Sequence, residues 1–246
     1  MKLLVCISQT PDTTAKIEFV NNNTKYNSAG VQYIINPTDE WYALVRAIEL
    51  KEALGGTVTV ITVDQADSEQ NIRKSLAIGA DDAVRIDAAP IDAHFVAVQI
   101  AQYAKGKGFD IIFTGKETID YNGYSVAGML AELLDLPQVS LVSKLDFAGN
   151  KATVEREIEG GIEVIEVQTP FLVSVQKGVA EQRIPNMKGI MGARAKKLEV
   201  VTPVAVENLT KVVAFALPAP RGTVKLVAPE QAEELIRLLH EEAKVI

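Results

Sequence analysis

The feature that most restricts the fold is the run TVTVITV at positions 57–63. β-Branched residues fill it, and it contains no charged side chain. A run of this kind is typical of a strand buried on both faces, which is the position of a central strand in a parallel sheet. Such a strand requires helices on both sides of the sheet, so the rest of the chain must supply them.

The first half of the chain supplies these helices in regular alternation with further strands. Strands are predicted at 2–7, 57–63, 83–86 and 110–114, and helices at 39–54, 68–78, 92–105 and 123–134. This order predicts an α/β fold with a doubly wound, mostly parallel sheet, of the Rossmann-like or adenine nucleotide alpha hydrolase-like type.

The alternation ends after Pro137. Four strands are predicted at 139–146, 151–158, 162–168 and 171–175. The pair Gly160-Gly161 between the second and third of them indicates a β-hairpin. The next stretch, 182–197, is expected to be a loop, and its five cations without any acid make it strongly basic.

Residues 200–246 are predicted to be an appendage to the sheet domain. Three prolines and the lack of a helical period indicate an extended arm over 200–222, and a helix is expected over 229–244. The arm carries the apolar sequence VVAFALPAP, so we expect it to cover a partner surface; packing on its own domain is the alternative. The expected organisation is an α/β domain at 1–199, with the hairpin at 151–168 and a docking segment at 183–197, followed by the arm and helix at 200–246.

Composition disfavours several classes of function. Only one cysteine, Cys6, is present, so an internal disulfide is excluded and a reducing compartment, the cytoplasm, is expected. Two histidines make a Cys/His metal site unexpected, and the net charge of −7 disfavours nucleic acid as a partner. The apolar runs are shorter than the roughly 18 residues of a membrane span. The start, MKLLVCIS, is interpreted as a strand rather than a signal peptide.

The loop that follows the fourth predicted strand is the first candidate site. It begins at Gly115, at the carboxyl edge of a parallel sheet, where ligands bind in open α/β folds. Free N–H groups at the start of the next helix suit a phosphate, Asn122 and Ser125 can cap that helix or contact the phosphate, and Asp120 suits a ribose hydroxyl. Lys116 has neither the spacing nor the Ser/Thr neighbour of a P-loop lysine. A capped loop without a ligand explains the same residues equally well.

Other loops are expected at the same edge. They are Ser8–Asp12 after the first strand, Asn36–Asp39 before the first helix, and the strand end Val63-Asp64. Thr38 or Asp39 is expected to cap that helix. Three or four loops on one edge are what an adenine nucleotide site requires. No Ser/His/Asp or Cys/His set can be assembled, and the hairpin glutamates are interpreted as a solvated strand face: Glu155, Glu157, Glu159, Glu163 and Glu166.

The hairpin sequence resembles a family signature. VEREIEGGIEVI at 154–165, followed by PFLV at 170–173, closely resembles the signature of the electron transfer flavoprotein β subunit, except that Ser174 replaces the usual Thr, Ala or Cys. Other segments are similar to the same family in the same order: INPTDEWYALVRAIELKE, IRKSLAIGADDAVRI, TGKETIDYNGYSVAGMLAELLDLPQ and IMGARAKK. The resemblance covers essentially the whole chain.

This resemblance implies an electron carrier subunit rather than an enzyme with its own substrate. The family's β subunit forms a heterodimer with an α subunit that holds most of the FAD, and it buries its own AMP. Electrons pass from acyl-CoA dehydrogenases to an electron transfer flavoprotein–quinone oxidoreductase in the membrane. Neither a nucleic acid partner nor insertion into the membrane is implied.

The resemblance also assigns residues. The AMP pocket corresponds to Ser8, Asn36, Pro37, Thr38, Asp39, Val63, Gly115, Lys116, Asp120, Asn122, Gly123, Tyr124, Ser125 and Val126. Glu163 corresponds to a hairpin glutamate near the mobile flavin domain. The segment that docks onto acyl-CoA dehydrogenases has Met187 in the place of its apolar anchor and corresponds to Arg183, Met187, Lys188, Ile190, Met191, Arg194, Lys196 and Lys197.

Some positions depart from the family. Thr13 and Thr38 replace aromatic residues that often lie near the flavin, so the resemblance does not extend to the flavin contact at these two positions, which stays open. Flavin-bifurcating members hold a second FAD and tend to have DGDTAQV in the loop, whereas this chain has DYNGYSV at 120–126, which favours AMP. The rival class, a universal-stress-type adenine nucleotide sensor, would carry G-x-x-G-x₉-G-[ST], and an ATP pyrophosphatase would carry S-G-G-x-D-S; both motifs are absent.

Overall fold

The computed structural model describes all 246 residues, and a nine-stranded sheet forms its centre. The strands are β1 (Lys2–Cys6), β2 (Gln9–Pro11), β3 (Phe19–Val20), β4 (Lys25–Tyr26), β5 (Tyr33–Ile35), β6 (Thr57–Asp64), β7 (Asp82–Asp87), β8 (Ile111–Gly115), β9 (Gln138–Ala148), β10 (Lys151–Ile158), β11 (Gly161–Gln168), β12 (Phe171–Val175) and β13 (Leu198–Val201). The helices are α1 (Glu40–Leu54), α2 (Glu69–Ile78), α3 (Ala93–Ala104), α4 (Ser125–Leu134), α5 (Met187–Ala193) and α6 (Ala232–Arg237).

The sheet is parallel over most of its width. Its order is β11-β10-β9-β12-β8-β1-β6-β7-β13, and every neighbouring pair from β9 to β13 is parallel. Only the hairpin β10–β11 adds antiparallel pairs at one edge. In β6, every residue after Thr57 is buried, as the run TVTVITV predicted.

Helices cover both faces of the sheet. α1 and α2 pack on the face to which Leu3 and Val5 point, and α3 and α4 pack on the face to which Leu4 and Cys6 point. This division follows from the two-residue period of a strand, which sends successive side chains of β1 to opposite layers. The predicted doubly wound α/β fold is confirmed.

Residues 9–35 form a small excursion that the sequence pattern did not indicate. β2 pairs with β5 and β3 pairs with β4 in two separate two-stranded sheets. The turn between β3 and β4 contains Asn21, Asn22 and Asn23 with φ of 55°, 56° and 62°, a region that asparagine tolerates better than most residues. Strands of two or three residues carry too short a pattern to be predicted.

The basic stretch predicted to be a loop contains a helix, α5, so that prediction was wrong for its central part. Asn186 caps α5, because its side-chain oxygen accepts a hydrogen bond from the N–H of Gly189 at 2.8 Å. Gly189 also lets α5 approach α2, since a Cβ there would lie 2.2 Å from the carbonyl oxygen of Ala77. Two glycines in this short helix lower its intrinsic propensity, so tertiary packing rather than local sequence stabilises it.

After β13 the chain has no regular secondary structure from 202 to 228, in agreement with the predicted arm. Hydrogen bonds from α3 hold the first part. The side chain of Gln99 bonds both backbone groups of Val204, at 2.7 and 2.9 Å. One carboxylate oxygen of Asp92 accepts hydrogen bonds from the N–H groups of Leu209 and Thr210, at 2.7 and 3.0 Å.

A third contact ties the arm to the excursion. The ring of Phe215 stacks on Phe19, with centroids 4.9 Å apart, and the N–H of Phe215 donates to the carbonyl oxygen of Asn23 at 2.7 Å. The chain then ends in a 3₁₀ turn at Pro229–Gln231, the helix α6 and a π-helical turn at Leu238–Glu242. No helix in the structure has the length and apolarity needed to cross a membrane.

Candidate functional site

Three loops that the sequence assigned to a nucleotide site meet at the carboxyl edge of the sheet. The side-chain amide of Asn36 donates to the carbonyl oxygen of Glu117 at 2.6 Å. The N–H of Glu117 donates to the carboxylate of Asp39 at 3.2 Å. Asp39 therefore bridges to the loop after β8 and does not cap α1, and Thr38 is exposed and does not cap it either.

The centre of this edge is a glutamate that the sequence patterns did not single out. Glu40 accepts hydrogen bonds from the N–H of Ser8 at 2.5 Å and from its hydroxyl at 2.8 Å. A Cβ on Gly115 would lie 2.8 Å from Cγ of Glu40. Burial raises the pKa of Glu40 to about 8, outweighing the bonds from Ser8. The only signal in the sequence was an acid in the first helical turn beside Asp39.

The loop after β8 is closed by its own backbone. The N–H of Thr118 donates to the carbonyl oxygen of Gly123 at 3.2 Å. The N–H of Asn122 donates to the carbonyl oxygen of Thr118 at 2.9 Å. Asn122 takes a left-handed φ of 51°. The ammonium of Lys116 forms an ion pair with Glu117 at 3.0 Å. The loop thus has a defined shape, and its lysine is already paired.

The start of α4 has no side-chain cap. Tyr124 occupies the cap position without a capping hydrogen bond, and neither Asn122 nor Ser125 supplies one. The first N–H groups of a helix have no partner within the helix, so this end presents uncapped donors. Of the loop tyrosines, Tyr121 and Tyr124 are both exposed.

Three buried oxygens near this edge have no hydrogen-bond partner. They are Oγ1 of Thr10, Oδ1 of Asn36 and Oγ1 of Thr114. Leaving a buried polar atom unpaired costs about 1–3 kcal/mol, so such atoms are rare in native structures. The segments that carry them are β2, the loop before α1 and the end of β8, which are the walls of the predicted site. The two threonine hydroxyls and the uncapped helix can donate to an anion, and Oδ1 of Asn36 can accept from a ligand hydroxyl or N–H, so the site fits a polar anionic ligand.

The end of β6 forms the fourth side of this edge. Val63 is buried, and the carboxylate of the following Asp64 accepts from the N–H of Gln65 at 2.7 Å. Burial raises the pKa of Asp64 to about 6, and the guanidinium of Arg85 donates to the Asp64 carbonyl oxygen at 3.1 Å. The structure therefore brings together Ser8, Asn36–Asp39 and Gly115–Glu117 by direct contacts, with Val63 at the end of the strand beside β1.

The hairpin forms a separate, outer surface. Arg156 and Glu163 face each other across β10 and β11 and form an ion pair at 2.5 Å. Glu155 pairs with Lys144 at 2.8 Å, which agrees with the interpretation of a solvated strand face. β11 is the edge strand of the sheet and exposes apolar side chains, including Ile162.

The cations of the docking segment have different environments. Arg183 binds the carboxylate of Glu52 through two hydrogen bonds of 2.8 Å. Lys196 donates to the carbonyl oxygens of Leu76 and Ala80, at 2.8 and 2.5 Å, and so closes the end of α2. These two cations serve the fold of this chain. Lys197 is exposed but pairs with Glu199 at 3.0 Å, whereas Lys188 and Arg194 lie exposed on the surface.

The same segment presents apolar side chains to solvent. Met187 is 73% exposed, and Ile190 and Met191 are exposed beside it. Ile184, which the sequence patterns did not single out, is 80% exposed. The sequence signal for it was an isoleucine within an otherwise polar, proline-containing stretch. Thr13 is also exposed, on the excursion.

Comparisons with known proteins point to one family over most or all of the chain. The family described as "Electron transfer flavoprotein domain" matches residues 24–206. The electron transfer flavoprotein subunit beta of Bacillus subtilis (strain 168) is 39% identical over 260 residues, covering all of both chains. The human protein of the same name is 30% identical over 253 residues, covering 100% of this chain and 99% of its own. The "Acryloyl-CoA reductase electron transfer subunit gamma" of Anaerotignum propionicum is 35% identical over 208 residues, covering 82% of this chain and 77% of its own.

Proposed function

The chain belongs to the electron transfer flavoprotein β subunit family, whose members are electron transfer proteins, and from this premise we propose that it is the β subunit of a heterodimer. Its partner would be an α subunit that holds most of an FAD, the group that accepts and releases the electrons. This chain would supply a structural AMP site, part of the flavin's surroundings and a docking surface. It would turn over no substrate of its own.

The nucleotide part of the proposal rests mainly on the convergence of Ser8, Asn36–Asp39 and the loop after β8 at one edge, as described above. The uncapped start of α4 and the unpartnered oxygens fit a phosphate and hydroxyl groups. Asp120 offers a carboxylate for a ribose hydroxyl. We assign AMP a structural role, because the only lysine in the loop is paired with Glu117 and the site lacks a P-loop.

The flavin part of the proposal involves the hairpin. Glu163 is held across the strands by Arg156, so its carboxylate has a fixed place on the outer face. We propose that this face lies toward the flavin-bearing domain of the α subunit. The arm would wrap the same partner, since apolar side chains along it, such as Val213, Leu217 and Leu226, are exposed in this chain.

The docking part of the proposal involves α5. Gly189 and Lys196 fix the segment to α2, and the exposed Ile184, Met187 and Met191 remain available to enter an apolar pocket. The exposed cations Lys188 and Arg194 would steer an acidic partner. We propose acyl-CoA dehydrogenases as electron donors and a membrane quinone oxidoreductase as the acceptor. A relative named as an electron transfer subunit of acryloyl-CoA reductase supports a partner that acts on a CoA thioester.

The test is the nucleotide content of the purified heterodimer after denaturation. We expect one FAD and one AMP per heterodimer. The variant Ser125→Asp places a negative charge at the uncapped start of α4, which suits the helix but repels a phosphate. It should lose AMP and keep FAD, whereas Gly128→Ala on the same helix should keep both.

Two results would contradict this proposal. Two FAD per heterodimer would show the bifurcating type of the family, with FAD at the β site. A chain that binds adenine nucleotide alone, and gains no flavin when produced with an α subunit, would indicate a stand-alone nucleotide sensor.

A further inference from the structure

Glu40 is a buried acid that contacts two walls of the proposed nucleotide site. Its carboxyl group receives both donors of Ser8, at the end of β1. Its methylene groups pack against Gly115, at the end of β8, so tightly that a Cβ there would lie 2.8 Å from Cγ of Glu40 and 3.2 Å from its backbone N. Glu40 is itself the first residue of α1 and directly follows the third wall, the loop Asn36–Asp39. One side chain therefore sets the spacing of three loops.

We propose that Glu40 is a positioning residue for the nucleotide: it fixes Ser8 and Gly115 in the arrangement that an anionic nucleotide requires, and a negative charge on it opposes the bound anion. This inference rests on the proposed function, because it assumes that AMP binds at this edge. Glu40 would not contact the phosphate itself. It would act through Ser8 and through the loop that begins at Gly115.

The charged groups around Glu40 favour the neutral form. The titratable groups that face it are Asp39, just before its own helix, Cys6 on β1, and Lys116, Glu117 and Asp120 on the loop after β8. The cations on these elements are engaged elsewhere: Lys116 with Glu117, Arg46 and Lys51 of α1 with Glu49 and Asp81, and Lys2 of β1 with the carbonyl oxygen of Lys107. Glu40 thus has no cationic partner, and an ionised carboxylate there would be a buried, unpaired charge beside an anionic ligand.

The direction of the pH effect follows from this environment. Burial raises the pKa of Glu40 to about 8, with Asp120 adding to the rise. Below that pH the carboxyl group is neutral and adds no charge to the site. It can then donate a hydrogen bond to the Ser8 hydroxyl or accept one from it. Above it, ionisation opposes a bound phosphate, so nucleotide affinity is full below pH 8 and falls as the pH rises. If only the neutral form binds, affinity falls about tenfold for each pH unit above 8.

The test uses the heterodimer with an α subunit and measures equilibrium binding of AMP at pH 7.0, 8.0 and 9.0. This window lies above the second ionisation of a phosphate ester, near pH 6. Wild type should lose about five- to tenfold in affinity between pH 8 and 9. Glu40→Gln, which keeps the shape and cannot ionise, should bind with little change across the window. Glu40→Ala should bind at least about tenfold more weakly than Glu40→Gln at every pH, while its FAD content stays unchanged.

A matched control is Glu49→Gln, in the same helix but paired with Arg46 away from the edge. It should keep the wild-type profile. A Glu40→Gln variant that keeps the wild-type pH profile would overturn this inference and leave the proposed function intact. A wild-type heterodimer that binds no AMP at any pH would overturn the nucleotide part of the proposed function, and this inference with it.

Discussion

The carboxyl edge of the sheet buries polar side chains, whereas the C-terminal arm exposes apolar ones. At the edge, polar groups such as Glu40 and Asn36 are buried and bonded to neighbouring loops of the same chain. Along the arm, apolar side chains such as Leu226, which is 89% exposed, have no cover. Leu44, in the helix behind the edge, is fully buried. Leucine thus packs in the core in one region and is exposed to solvent in the other.

This difference shows which parts of the chain bury their apolar side chains within the chain and which leave them exposed. The α/β body closes its own core on both faces of the sheet, so its stability is encoded within the chain. The arm, the outer strand of the hairpin and α5 expose aliphatic residues together, which is costly in water unless a partner removes them from it. Under the proposed function, stability and association are therefore encoded in separate residues and can be altered separately.

The contrast is tested most sharply by truncating one leucine side chain to alanine in each region. Leu44→Ala should lower the free energy of unfolding by about 2–5 kcal/mol, because it leaves a cavity in the core. Leu226→Ala should change it by less than about 0.5 kcal/mol, because the side chain is exposed. Urea denaturation of the two purified variants measures both values. In contrast, Leu226→Ala should weaken binding of the α subunit by about tenfold.

Equal losses of stability in the two leucine variants would show that the arm packs as a core element. A Leu226→Ala variant that binds the α subunit as tightly as wild type would place the partner surface elsewhere on the chain.

A smaller effect is expected at the edge itself. Gly115→Ala should lower the free energy of unfolding by about 1–3 kcal/mol, because the new Cβ overlaps Cγ and the backbone N of Glu40. It should also displace the loop after β8 and reduce AMP content. The matched variant Gly128→Ala meets only the side-chain oxygen of Gln138 at 3.7 Å, so it should stabilise α4 by about 0.5–1 kcal/mol. Thermal denaturation that shows both variants equally stable would contradict the close packing at Gly115.

The smallest effect is expected where the two regions are joined. Asp92 caps α3 through the N–H of Phe95 at 2.7 Å and also holds the arm. Asp92→Ala should cost about 1 kcal/mol through the lost cap. It should also speed proteolysis of the arm, measured by mass spectrometry of the first fragments. Asp92→Asn, which can still cap, is the control.

The pH dependence of that cap has a defined sign. The hydrogen bond from Phe95, followed by those from Thr210 and Leu209, holds the pKa of Asp92 below its usual range. The stabilisation is therefore present above the ordinary aspartate pKa and is lost as the pH falls through the lower folded value. A wild-type arm that is equally protected from proteolysis at neutral and at strongly acidic pH would contradict this link.

The sheet was predictable because its pattern is long and repetitive. A buried run such as TVTVITV admits few alternatives, and the apolar stripes of the helices at 39–54 and 123–134 extend over more than two turns. The excursion at 9–35 and helix α5 were not predictable. Their stability comes from pairing and packing with distant residues, for example Gly189 on Ala77, which no local period records.

The site divides in the same way. Positions at the ends of strands could be placed on one edge by topology alone, as with Ser8 and Gly115. Glu40 could not be found, because its role depends on a contact across 32 positions of sequence with Ser8. Lys196 shows a limit of charge patterns: it lies in the basic stretch, and the structure uses its ammonium group to close the end of α2. Charge patterns indicate where cations are dense, but not which of them are already engaged.

The three anchors of the arm, at Val204, Thr210 and Phe215, have a consequence for the kinetics of assembly. Ordering a free chain costs about 1–2 kcal/mol per residue, and here part of that cost is met during folding. The partner would therefore encounter a strap whose first half already follows a fixed path. The second half, from Arg221 to Ala228, is exposed except for the half-buried Val227 and is held by none of these anchors, so it would close last. The arm would then bind the partner in order along the chain, first near the α/β body and last at α6.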